Sequence, residues 1–200
     1  MTQVIQIHGG TTFANYDDYM KSLSSSTLHP ERMTFKPMWR ELLQQNLGDD
    51  YQVLLPAMPN KTNARYSEWK VWFTHLTDII EDDCILIGHS MGAIFLAKYL
   101  SENKFPRTIK ATILIAAPYD DESEEDLTDF KIDSVTEQFT SQAGRVEFFF
   151  GSDDPVIPLA EMSKFQHDVP GAKYHILSAP DHFVRPDFPE LIDVLKSATK

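Results

Sequence analysis

Residues 85–100 read ILIGHSMGAIFLAKYL. The run Ile85–Ile87 is apolar and β-branched, as in a short buried strand. Met91–Glu102 holds no Pro and no cluster of turn residues, and reads as a helix. Between them, Gly88-His89-Ser90-Met91-Gly92 matches G-x-S-x-G. Between a strand and a helix this pattern makes a turn so tight that side chains two positions before and after the serine would strike the neighbouring strand or helix. Glycine at 88 and 92 removes both clashes. The turn pushes the serine hydroxyl out at the carboxyl end of the sheet. It also leaves the Met91 N–H at the start of a helix, where the helix dipole helps it donate to an oxyanion. Five residues alone also fit an ordinary strand-to-helix turn with a serine N-cap. The decision rests on what stands elsewhere in the chain.

Upstream, the apolar run Val4–Ile7 ends in His8-Gly9-Gly10-Thr11. A tight glycine turn at that point can aim a second N–H, that of Gly10, at the same oxyanion. A phosphate-cradling loop is the competing reading, but the G-x-G-x-x-G spacing it needs occurs nowhere in the chain. Downstream, the strand-like VEFFF runs into Gly151-Ser152-Asp153-Asp154-Pro155-Val156-Ile157-Pro158. A carboxylate at a strand tip is where an acid that orients a histidine belongs, and Asp153 and Asp154 both qualify. Pro155 biases Asp154 towards an extended backbone, while Asp153 can cap the turn. Three of the seven histidines follow this acid: His167, His175 and His182. His167 falls on an expected helix and His175 within an expected strand. His182 lies in the loop Pro180-Asp181-His182-Phe183, where an imidazole can swing over the serine. The order Ser…Asp…His is the one expected around such a turn.

Strand and helix signals alternate along the rest of the chain. Strands are expected at Val4–Ile7, Tyr51–Leu55, Cys84–Ile87, Ile109–Ala116, Arg145–Phe150 and Lys173–Leu177. Helices are expected at Asn15–Ser22, Lys36–Asn46, Tyr66–Ile80, Met91–Glu102, Leu159–Val169 and Phe188–Ser197. The strands are apolar without clean alternation, as in a sheet covered on both faces. Alternating strands and helices argue for an α/β fold with a parallel sheet. A chain of 200 residues buries roughly 70% of its unfolded surface, enough for one such domain over 1–200. Two polar stretches, 11–35 and 119–144, follow strands whose ends border the serine, and neither is large enough for a core of its own.

Thirty acidic against 18 basic residues give a net charge of −12. With no Lys/Arg cluster, this argues against nucleic acid and against anionic membranes as partners. Cys84 is the single cysteine and reads as a small buried apolar residue. It can form no internal disulfide, which fits a reducing compartment. No signal-peptide pattern and no apolar run of roughly 20 residues stands out, so the expectation is a cytoplasmic protein.

With the early H-G-G turn, L-P-A-M-P-N at Leu55–Asn60 followed by Trp69, G-H-S-M-G, S-D-D-P-V-I-P and D-H-F in view, the chain resembles the α/β-hydrolases. More narrowly, it resembles the compact, lid-poor serine hydrolases of the retinoblastoma-binding protein nine type and their bacterial relatives. The resemblance covers essentially the whole chain, although 11–35 and 119–144 look long for that family. It implies a six-stranded parallel sheet in the order 2-1-3-4-5-6 with helices on both faces, no N-terminal antiparallel hairpin and no large lid. It implies Ser90 as nucleophile, His182 as base and, of the two aspartates, Asp154 as the acid. It further implies a small acyl substrate, an acyl-enzyme, and no metal or organic cofactor.

Other residues read more plainly. His8 and His89 pack and hydrogen-bond around the serine turn. Trp69 and Trp72 belong to the core. Phe13, Met91, Tyr119 and Phe183 each sit beside a site element and are expected to wall the pocket. The acidic run Asp120, Asp121, Glu122, Glu124, Glu125 and Asp126 reads first as solvated surface. If it overhangs the mouth, its field disfavours anionic acyl donors. Two other function classes fit the same scaffold. One is a catalytically silent binding module that uses the acidic stretch to dock a protein. The other is a cofactor-free lyase or peroxidase.

Overall fold

The chain builds six short strands: β1 (Thr2–Ile7), β2 (Tyr51–Leu54), β3 (Cys84–His89), β4 (Ile109–Ile115), β5 (Arg145–Gly151) and β6 (Lys173–Leu177). The computed structural model describes residues 1–120 and 126–199. The strands form one sheet in the order β2-β1-β3-β4-β5-β6, with every pairing parallel. This is the six-stranded parallel sheet, in the strand order that the resemblance implies. The chain steps from β1 outward to β2, then returns past β1 to β3 and continues the other way. Right-handed crossovers in opposite directions put their helices on opposite faces. The carboxyl ends of β1 and β3 diverge at that switch point and open a crevice.

The helices are α1 (Tyr16–Ser25), α2 (Pro30–Met33), α3 (Trp39–Leu47), α4 (Tyr66–Leu76), α5 (Met91–Glu102), α6 (Glu137–Gln142), α7 (Ala160–Asp168) and α8 (Pro189–Ala198). Alternate side chains of β5 show the two covered faces. Phe149 meets Phe188 at the start of α8, whereas Phe148 and Phe150 meet Phe165 of α7. All three phenylalanines are fully buried. At roughly 2–3 kcal/mol per buried large side chain, this strand anchors both layers. Between α4 and α5, Trp69 and Phe73 meet Phe95 edge-on at 5.6 and 5.3 Å, a favoured arrangement for ring quadrupoles.

Three local expectations are corrected. Helix α4 ends at Leu76 rather than Ile80; the Thr77 hydroxyl donates to the Thr74 carbonyl at 2.6 Å and closes the last turn. Trp69 is fully buried, but Trp72 is 44% exposed. Three residues on from Trp69, it points off the face that meets α5. The stretch 119–144 also does more than solvate: Leu127, Phe130, Ile132, Val135 and Phe139 are buried in the core, carried on a 3-10 turn (Thr128–Phe130) and α6. Of the acidic run, Asp121, Glu122, Glu124 and Glu125 lie outside the described residues. In the stretch 11–35, α1 buries none of its side chains.

The serine turn shows why two glycines flank it. A Cβ at position 88 would lie 2.5 Å from the Gly92 carbonyl oxygen, and one at position 92 would lie 2.3 Å from the Ile7 carbonyl oxygen. Both partners are backbone and cannot swing away. Gly92→Ala is therefore expected to destabilise the protein by about 3 kcal/mol or to prevent folding. Gly171→Ala, where an added Cβ meets nothing within 4 Å, should stay within about 0.5 kcal/mol of wild type. Urea unfolding compares the two; equal effects would contradict the packing described.

Candidate active site

Ser90 follows the last residue of β3 and caps α5 with φ 54° and ψ −122°. A non-glycine residue held there costs about 1–3 kcal/mol. The backbone is locked by Ser90 N–H donating to the Ile115 carbonyl at 2.8 Å and by Ala93 N–H donating to the Ser90 carbonyl at 2.8 Å. The residue is 4% exposed, and its hydroxyl has no hydrogen-bond partner among the described residues.

The H-G-G turn closes over it. A Cβ at Gly9 would sit 3.3 Å from Ser90 Cβ, and one at Gly10 would sit 2.7 Å from the Lys61 carbonyl oxygen. The N–H of Gly10 and the N–H of Met91 enter no backbone hydrogen bond among the described residues. For Met91 this follows from its place as the first residue of a helix. His8 holds the turn from behind. Its Nδ1–H donates to the Gly9 carbonyl at 2.6 Å, and its Nε2 accepts the Met58 N–H at 2.9 Å. Burial lowers its pKa, and a neutral ring is what this donor–acceptor pair requires.

After β5 the two aspartates part company. Asp154, its side chain fully buried, receives His182 Nδ1–H at 2.8 Å on Oδ2 and 2.9 Å on Oδ1. It also accepts the N–H groups of Val156 at 2.8 Å and Ile157 at 3.1 Å. Burial works to raise its pKa, but the hydrogen bond from His182 and those backbone donors outweigh it and hold the carboxyl below its ordinary value. Asp153 instead accepts Ala179 N–H at 2.6 Å and the Ser178 hydroxyl at 2.9 Å. It pins the start of the loop that carries His182.

That loop is strained, with His182 and Phe183 both left-handed at φ 53° and 56°. His89, next to Ser90, donates Nε2–H to the His182 carbonyl at 2.9 Å. The two rings are 5.0 Å apart. Trp39 donates its indole N–H to the Phe183 carbonyl at 2.8 Å.

The structure thus joins Asp154 to His182 directly and links His182 to the Ser90 turn through His89. It does not give the expected wall residues one common role. Phe183 is fully buried and stacks on Phe188 at 5.3 Å, so it belongs to the core. Tyr119 is buried edge-on against Phe165, its hydroxyl donating to Asp168 at 2.5 Å. Phe13 is half-buried against Tyr19 at 5.5 Å, and Met91 is fully buried. Reading the sequence missed Glu161. This fully buried carboxylate on α7 accepts Tyr119 N–H at 2.5 Å and Lys164 Nζ at 2.9 Å, and so anchors the chain leaving β4.

Comparison with known proteins bears on the family and the fold. The family described as Serine hydrolase matches residues 36–185. The rat (Rattus norvegicus) Serine hydrolase RBBP9 is 30% identical over 161 residues, covering 79% of this chain and 82% of its own. Among solved structures, the ydeN gene product of B. subtilis superposes with a TM-score of 0.77 at 18% identity, covering 100% of this chain and 99% of the other. Est1E from Butyrivibrio proteoclasticus, solved with ferulic acid bound, superposes with a TM-score of 0.63 at 15% identity, covering 100% and 88%.

Burial, reinforced by the neighbouring His182, lowers the pKa of His89 to about 4. In the unfolded chain it titrates near about 6.5. Between these values the unfolded state binds more protons than the folded one, so stability is lost as the pH falls through that window. At full effect the loss is on the order of 3 kcal/mol. The stability advantage of wild type over His89→Gln, measured by urea unfolding, should therefore shrink by about 2–3 kcal/mol between about pH 7 and about pH 4.5. A gap independent of pH would contradict burial of a neutral His89.

Proposed function

The chain belongs to the serine hydrolase family, and from that premise we propose that it cleaves an acyl ester, thioester or amide bond of a small substrate through Ser90, His182 and Asp154. The observation that carries this reading is the two-oxygen contact of Asp154 on His182 Nδ1–H, on a loop tied to the strained turn that presents Ser90. With Nδ1 protonated, Nε2 keeps the lone pair that a general base needs. His182 Nε2 takes the proton of the Ser90 hydroxyl as Oγ attacks the carbonyl carbon. Asp154, held ionised by its donors, steadies the imidazolium that forms. The carbonyl oxygen, now an oxyanion, accepts the N–H groups of Met91 and Gly10, each worth on the order of 3 kcal/mol. His182 returns the proton to the leaving group. Water, deprotonated in turn by His182, attacks the acyl carbonyl carbon, and His182 passes that proton to Ser90 Oγ as the bond to the acid breaks. Every proton and electron pair is accounted for by the chain, the substrate and water, so the cycle calls for no metal or organic cofactor.

No helix among the described residues is long and apolar enough to cross a membrane. The single cysteine, Cys84, is buried, and its thiol is pushed up to about 12 by burial, which leaves it inert. A cytoplasmic site of action is part of the same proposal.

A fluorophosphonate probe should label the protein at Ser90 alone, read by peptide mass spectrometry. Label on another serine, or none on active protein, would refute the assignment. The aspartates separate by substitution. Asp154→Asn, which disturbs the tautomer of His182, should lower kcat by about 10⁴-fold. Asp153→Asn, which loosens only the loop start, should cost about tenfold or less. The opposite ranking would move the acid to Asp153.

A further inference from the structure

We infer that His89 and Trp39 are positioning residues that set where the base stands relative to the nucleophile; this rests on the Ser90–His182–Asp154 reading. Ser90 and His182 are 92 positions apart in sequence and arrive on different segments. Asp154 grips the Nδ1 edge of the imidazole, which leaves the height of the loop above Ser90 to other contacts. His182 and Phe183 both occupy left-handed backbone, a conformation that side chains other than glycine hold only when the surroundings enforce it. Two side-chain donors provide that enforcement on consecutive carbonyls. His89 Nε2–H reaches the His182 carbonyl at 2.9 Å, and Trp39 Nε1–H reaches the Phe183 carbonyl at 2.8 Å.

The two donors also brace each other. The Trp39 ring meets His89 edge-on at 6.1 Å and Phe188 edge-on at 5.8 Å. The Trp39 backbone N–H donates to the Arg185 carbonyl at 2.9 Å, so α3 grips the loop at a third carbonyl. On the far side of the loop, Arg185 pairs with Asp181. The decisive feature is covalent: His89 is bonded to Ser90. A displacement of the nucleophile's strand therefore carries the histidine loop with it, and the spacing between Ser90 and the base is preserved. The ring must be neutral at Nδ1 and protonated at Nε2 for this single donation. The titratable and charged groups whose fields reach it are His182, Asp154 and Arg40. The identity of the residue before the serine is thus part of the site's geometry, and not only of its packing.

The test compares wild type, His89→Ala, His89→Gln and Trp39→Phe. Glutamine keeps an N–H donor, and phenylalanine keeps the ring but loses the N–H. Two rates are read: fluorophosphonate labelling of Ser90, and turnover of p-nitrophenyl acetate. Thermal unfolding confirms that each variant is folded at the assay temperature. His89→Ala should label and turn over about 10- to 100-fold more slowly, with the loss in kcat and KM within about twofold, because a misplaced base costs rate rather than binding. His89→Gln should recover to within about threefold of wild type. Trp39→Phe should lose about three- to tenfold. A folded His89→Ala with wild-type rates, or a His89→Gln as slow as His89→Ala, would overturn the inference. If His89→Ala fails to fold, Trp39→Phe decides: loss of rate supports the clamp, and wild-type rates overturn it. Wild type that takes no label at Ser90 would overturn the triad, and the clamp's role with it. A labelled wild type beside unaffected variants would overturn the clamp alone.

Discussion

A Cβ atom at position 92 would stand 2.3 Å from the carbonyl oxygen of Ile7, and the carboxyl end of the sheet is organised by the backbone approach that its absence permits. Because the first turn of α5 can sink against the end of β1, the serine turn enters the crevice at the switch point instead of riding above it. The same approach brings Gly9 against Ser90 Cβ. Among the described residues, the first N–H of α5 and the N–H of Gly10 have no backbone partners. Neighbouring strands sit about 4.8 Å apart, and β1 pairs directly with β3, so the turns that follow them start side by side. The strain at Ser90 is held by bonds to β4 and by the helix that follows.

Three histidines surround this point, and their partners divide the work. His8 and His89 hydrogen-bond backbone groups in poorly solvated places, where burial disfavours the charged ring. They act as neutral struts, one holding the H-G-G turn and the other the loop across from it. His182 faces a carboxylate instead, the one partner of the three that stabilises an imidazolium. Two buried polar anchors extend the scheme outward. Glu161 holds the chain that leaves β4. Glu147 on β5 is buried between His175, at 2.6 Å, and the Arg145 guanidinium, as a buried charge requires.

The strands, their parallel direction and the serine turn were legible because each leaves a local mark: apolar runs alternating with helices, G-x-S-x-G, and glycine where backbones meet; the sheet order came only with the family resemblance. Asp154 and His182 were legible as candidates because strand tips and the loop after the last strand are identifiable positions. What was not legible depends on residues distant in sequence. Nothing local in P-M-W-R says that Trp39 donates to a carbonyl 144 positions away, or in V-E-F-F-F that Glu147 is buried. Trp72 shares helical spacing with Trp69, and only the placement of α5 decides which of them is covered. Phe183 beside the base reads as pocket wall until Phe188 is seen stacked on it.

The central claim is that the strained turn delivers Ser90 to two N–H donors already in place, with the base fixed alongside. A crystal structure of the protein phosphonylated on Ser90 tests this most directly, because the phosphonyl oxygen stands where the oxyanion forms. The expected result is that oxygen within about 2.7–3.1 Å of the backbone nitrogens of both Met91 and Gly10. His182 Nε2 should face the ester oxygens, with the backbone of 182–183 unmoved. A phosphonyl oxygen turned to solvent, or one bound only after the H-G-G turn rearranges, would contradict it.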